Sequence, residues 1–133
     1  MRRVRADAAG GRRRLDLAEL NVARAGREQA AGDADAALIF AEQALINAAD
    51  ALLARDGYSV NSHVVRFSYP RLPGVYASER GLIDQIRSAR NTAQYDASGG
   101  VTPGFAANAI QLAERAVRDV RAALSDANAS DPT

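Results

Sequence analysis

The chain contains no cysteine, no lysine and no tryptophan, and a single histidine, His63, among its 133 residues. Without cysteine there is neither a disulfide framework nor a thiolate metal site, and one histidine cannot build a His-cluster centre. No metal and no cofactor are therefore expected. The sequence also lacks a glycine-rich phosphate loop, a serine nucleophile elbow and a close pair of carboxylates in a catalytic arrangement. Charge of one sign is missing too: 17 basic residues face 16 acidic ones for a net +1, which excludes a domain that coats nucleic acid non-specifically. All the basic residues are arginine, which together with the many alanines reads as the codon bias of a GC-rich bacterial genome. The length suits one domain with a real core.

What is present is helix. The stretch from Ala34 to Arg55 carries Leu38, Ile39, Phe40, Leu45, Ile46, Leu52 and Leu53 with alanines between them, leaving Glu42, Gln43, Asn47 and Asp50 in a thin polar stripe. Such a helix must be covered on several flanks, by other helices or by a second subunit. A membrane span would hide it as well, but the four polar residues fall in its middle, where acidic groups are costly. It reads as the central helix of a bundle, with no membrane partner.

Before it, residues 1–14 hold six arginines against Asp7 and a Gly-Gly pair that reads as a break. No apolar run follows, so this is not a secretory signal, and it reads as a disordered basic arm. A first helix is expected from Leu15 to Ala31, with Gly32 as its left-handed stop and Asp33 capping the central helix, so that the two form an antiparallel hairpin. The central helix stops at Asp56-Gly57. From Tyr58 to Ser78 the periodicity breaks, apart from a short helical piece, HVVRF, capped by Ser62. Ser78 is expected to cap a helix with Leu82, Ile83, Ile86, Ala89 and Ala93 on its core face and Asp84, Arg87, Asn91 and Tyr95 along the opposite stripe. Thr102 as N-cap and Pro103 at the first position open the last helix, which runs to Leu124 before a disordered tail over 125–133. AEQAL at Ala41 recurs as AERAV at Ala113, but the offset of about two hairpins matches no helical-repeat period, and there is no third copy.

This order of elements, with ALINAADALLARDGYSVNSH in the first half, IRSARNTAQYD in the second and the closing A-x-x-x-I-x-x-A-E-x-A-x-x-x-V helix, resembles the HEPN superfamily (higher eukaryotes and prokaryotes nucleotide-binding), in particular its small stand-alone bacterial members. The resemblance covers Leu15 to Leu124. It implies an all-α fold, an antiparallel bundle of four long helices plus one short helix, assembled as a homodimer in the cytoplasm. Active members of the family are metal-independent endoribonucleases with an R-x(4 to 6)-H motif, in which arginine holds the scissile phosphate and histidine moves protons. Arg90 and Asn91 match the first two motif positions, but Tyr95 stands where the histidine belongs. Tyrosine, with an unperturbed pKa of about 10, is a poor base but can stack on a nucleobase or bond phosphate.

The resemblance thus implies an RNA- or nucleotide-interacting protein of toxin-antitoxin or defence type, with impaired or no ribonuclease activity. Arg87, Arg90, Asn91 and Tyr95 are the binding residues it implies, with an antitoxin or nucleotidyltransferase as partner; His63, in the loop, is either an auxiliary base or a capping or packing residue beside a helix start. The alternative is a non-catalytic helical dimerisation module, in which the polar stripe is only a solvated face.

Overall fold

The computed structural model describes residues 1–95 and 100–130, with side chains described through 91 and from 100 to 126. The fold is mostly helical. In chain order it comprises β1 (Arg2–Arg3), α1 (Ala8–Ala30), α2 (Ala34–Asp56), β2 (Tyr58–Ser59), α3 (His63–Phe67), α4 (Gly74–Ser78), α5 (Arg80–Tyr95) and α6 (Pro103–Ser130).

Cap chemistry sets most of these boundaries. Asp33 accepts from the Ala36 amide at 3.0 Å, and Gly32 takes the left-handed conformation at φ 86°, so α1 turns into α2 over three residues. Ser62 Oγ caps α3 through the Val65 amide, and Thr102 Oγ1 caps α6 through the Phe105 amide at 3.1 Å.

Helix α2 is the centre of the core. Leu38, Leu45 and Leu52 are fully buried, as are Ala37, Ala41, Ala44, Ala48 and Ala51. By length and composition α2 could cross a membrane, but 72% of its most apolar window is buried inside the chain. One chain therefore covers it, and the central helix does not by itself call for a second subunit. Three of its polar residues each meet a different helix. Asn47 accepts from Asn21 Nδ2 of α1 at 2.8 Å, Asp50 pairs with Arg66 of α3 and Glu42 with Arg90 of α5.

The neighbours run in directions that their contacts reveal. The Asn21–Asn47 bond lies mid-helix, and the Asp7 amide donates to the Ala54 carbonyl, so α1 lies antiparallel to α2. Asp35 reaches the Val101 amide at the start of α6, whereas Arg55 reaches the Ala123 carbonyl near its end, so α2 and α6 run side by side in the same direction. Tyr76 of α4 is buried and donates its hydroxyl to the Leu45 carbonyl at 2.9 Å, which anchors the segment before α5 to the middle of α2.

Four expectations need correction. Residues 1–14 are not a free arm: α1 begins at Ala8, capped by Asp7 through the Gly10 amide at 2.8 Å, and Arg2 and Arg3 pair antiparallel with Ser59 and Tyr58. The Gly-Gly pair is not a break but the place where α1 meets α2, since a Cβ on Gly11 would stand 2.7 Å from the Ala51 carbonyl oxygen. A second short helix, α4, follows α3, and Ser78 ends it rather than capping α5, which starts at Arg80 after a bend at Glu79. Finally, α6 continues six residues past Leu124, to Ser130, where a frayed tail was expected; residues 131–133 lie outside the described ones.

Candidate functional site

Two elements, α3 and α5, converge on the side of α2 that carries Glu42 and Asp50. From α3, Arg66 inserts its guanidinium between Asp50 and His63: Nε lies 2.7 Å from Asp50 Oδ1, and Nη1 lies 2.6 Å from His63 Nδ1. Arg66 is 9% exposed, so this arginine is held in place from both sides. From α5, Arg90 brings its Nε to 3.2 Å from Glu42 Oε1. The N–H does not point at that oxygen, and the buried Nε makes no hydrogen bond, so the contact is Coulombic rather than directional. Arg87, one turn earlier, acts on both Glu42 and His63 through its charge.

These positions follow from the local sequence. His63 and Arg66 are three residues apart on a helix that Ser62 starts, which puts them on one face. Phe67 follows and buries its ring against Tyr76, with ring centroids 5.8 Å apart, pinning α3 to the core. On α5, Ile83 and Ile86 are buried, and Arg87 and Arg90, one turn apart and both half-buried, lie together along the side of that apolar face.

The electrostatics are set by burial and by the three guanidiniums. Desolvation lowers the His63 pKa below 6.5, with the charges of Arg66, Arg87 and Arg90 adding to it, while Asp50 pulls the other way. Because arginine can only donate, Nδ1 of His63 must accept from Arg66, and the ring proton therefore sits on Nε2. His63 is thus neutral near pH 7 and offers a donor, not a base. Glu42 is only 3% exposed, and its burial raises its pKa above 4.5 in spite of Arg90 and Arg87.

The residues singled out in the sequence are brought together unevenly. Arg87, Arg90 and His63 share one site. Asn91 is exposed and makes no hydrogen bond or ion pair among the described residues. Tyr95 ends α5, but its side chain lies outside the described ones. Arg90 was expected on a solvated stripe, yet its Nε is buried against the central helix, because Glu42 projects toward α5 and only a cation can accompany it there. Arg66 and Asp50 were not anticipated as site residues; the three-residue spacing of His63 and Arg66 behind a serine cap was the available signal. Among the described residues no group of acids and histidine is arranged to hold a metal ion.

No family model, no curated protein and no solved structure matches this chain.

Proposed function

We propose that this protein is an RNA- or nucleotide-binding helical protein of HEPN type, an antiparallel bundle of four long helices that holds phosphate between α3 and α5 and acts in a toxin-antitoxin or defence setting in the cytoplasm. The observation that carries this reading is the convergence of Arg66, Arg87 and Arg90, from two elements separated in sequence, around the single histidine. Arg66 is committed to Asp50, while Arg87 makes no hydrogen bond or ion pair among the described residues and is free to meet an anion. A phosphate there would accept charge-assisted bonds from Arg87 and Arg90 and a further bond from His63 Nε2.

The same geometry argues for binding without cleavage. Ribonuclease chemistry needs a group that takes the 2′-hydroxyl proton, and His63 presents a protonated nitrogen on its free edge. Tyr95, at the motif's histidine position, is a poor base. A second copy of the chain or an antitoxin-like partner would face this site in the assembled form.

A second reading, a helical dimerisation module, draws on Leu17 and Leu20 of α1, three residues apart and 41% and 43% exposed.

Equilibrium binding of oligouridylate at low salt, where phosphate contacts are strongest, tests the first reading. Arg87→Ala is expected to weaken it at least about tenfold, the loss of one charge-assisted contact, without altering the melting temperature. Absence of any affinity in the wild type overturns the reading and leaves the dimerisation module.

A further inference from the structure

A cavity of about 410 Å³ lies beside this cluster, between the N-terminal segment, the first turns of α1, the C-terminal part of α2 and β2. Arg5, Arg14, Asp7, Asp50, Tyr58 and Ser59 are among the residues that line it. Its acids are already engaged. Asp7 caps α1 through the Gly10 amide and lies 3.8 Å from Arg13, and Asp50 is paired with Arg66. The two arginines are not: among the described residues the guanidiniums of Arg5 and Arg14 make no ion pair or hydrogen bond, and both side chains are exposed. The cavity is therefore lined by two unpaired guanidiniums beside two carboxylates that already have partners.

The fold holds this lining in place. The Val4 amide donates to the Gly57 carbonyl at 2.9 Å and the Asp7 amide to the Ala54 carbonyl at 2.8 Å, so Arg5 is fixed between two backbone ties to the end of α2. Arg14 sits on α1 two turns beyond the Asp7 cap. Asp50 belongs both to this cavity and, through Arg66, to the His63 cluster, so the two are neighbours along one stripe of α2. Glu42, against which Arg90 lies, is eight residues from Asp50 on that helix, about 12 Å at 1.5 Å per residue. One phosphate cannot touch both ends of such a track, whereas the backbone of a short oligonucleotide can.

Resting on the phosphate-binding reading above, we infer that Arg5 and Arg14 form a second phosphate subsite, and that the ligand is a single-stranded oligonucleotide rather than a mononucleotide. The cavity is half open to solvent, and at about 410 Å³ it has room for part of one strand and not for a duplex. Groove arginines that track a backbone without reading bases are the usual means of holding single strands. The first subsite binds through Arg87, Arg90 and His63, the second through Arg5 and Arg14, with Arg66 and Asp50 as the fixed partition between them.

The test uses the full chain with uridine 5′-monophosphate and oligouridylates of two, four and eight nucleotides, comparing wild type, the double variant Arg5→Ala/Arg14→Ala and Arg87→Ala. Wild-type affinity is expected to rise with length. The double variant should bind the octanucleotide at least about tenfold more weakly, with a salt dependence shallower by about 1.4, two contacts at about 0.7 each. Its melting temperature should be unchanged, because both side chains are exposed, and its gain in affinity from the monophosphate to the octanucleotide should be smaller than that of the wild type. Equal octanucleotide affinity in wild type and double variant, with Arg87→Ala still impaired, overturns the second subsite and leaves the phosphate-binding reading intact. A wild type that binds none of these ligands overturns both.

Discussion

Arg90 holds its Nε 3.2 Å from Oε1 of Glu42, a carboxylate on the central helix that is 3% exposed, and the two form an ion pair between α5 and α2. Removing the guanidinium leaves an acid buried without its counter-charge. Arg90→Ala should therefore cost about 1–3 kcal/mol of stability, and Glu42→Gln in the same chain should recover much of it. The pH dependence follows from the raised Glu42 pKa. Between 4.5 and the higher value in the folded state, the native chain holds the proton more tightly than the unfolded one, so stability falls as pH rises through that window. Urea denaturation across this range should show Glu42→Gln gaining on the wild type as pH rises. A variant that tracks the wild type at every pH would show that Glu42 does not carry the effect.

His63 gives the opposite slope. Its folded pKa is depressed, so below 6.5 the unfolded chain binds the proton more readily, and stability is lost as pH falls through 6.5. His63→Gln should flatten this loss, and an NMR titration of the ring should have its midpoint below 6.5. The charged groups acting on the ring are Arg66, Arg87, Arg90 and Asp50. An anion bound among the arginines would offset their repulsion and move the midpoint up. A ring that titrates at or above the ordinary value in the free protein would contradict this arrangement.

The N-terminal segment is structural. Deleting residues 1–14 removes the β1–β2 pairing, the Asp7 cap and the Gly11 contact with α2. The cap alone is worth about 1 kcal/mol, so a fall in melting temperature of several degrees is expected. Gly57→Ala should act in the same direction by about 1–3 kcal/mol, since Gly57 has φ 85° and an added Cβ would stand 2.9 Å from the Val4 carbonyl. Trypsin cleavage at Arg2, Arg3 and Arg5 should accelerate in that variant. An unchanged melting temperature on deletion would restore the basic arm as a loose appendage.

Helix existence was legible in the residues because caps are local chemistry: Asp33, Ser62 and Thr102 act within three residues of themselves, and Gly32 and Gly57 announce their conformation by lacking a Cβ. The start of α1 was not legible. Glycine at 10 and 11 signals a break unless another backbone lies against it, and Ala51 belongs to a different helix. The site was half legible for the same reason. Spacing placed Arg87, Asn91 and Tyr95 on one stripe of α5 and the motif resemblance added Arg90, but Arg66 was not read with His63, and only packing across α2 brings α3 and α5 to one place. Glu42, grouped in the sequence with the polar residues of a thin stripe, turned out to be buried, and it is the buried acid that decides which way Arg90 points.

The alanines of α2 have a consequence for how this protein can vary. Ala37, Ala41, Ala44, Ala48 and Ala51 have no exposed surface and pass close to neighbouring helices. Cores built on leucine can drift by trading one large side chain for another, but an alanine seam can change volume only by growing, and growth in a filled interior forces backbones apart. Glycine, the one smaller choice, weakens the helix itself. Saturation mutagenesis should find these positions nearly invariant, more so than the bulkier leucines beside them, which leaves the arginine-bearing edges of α1, α3 and α5 as the parts of the molecule where new specificity can arise.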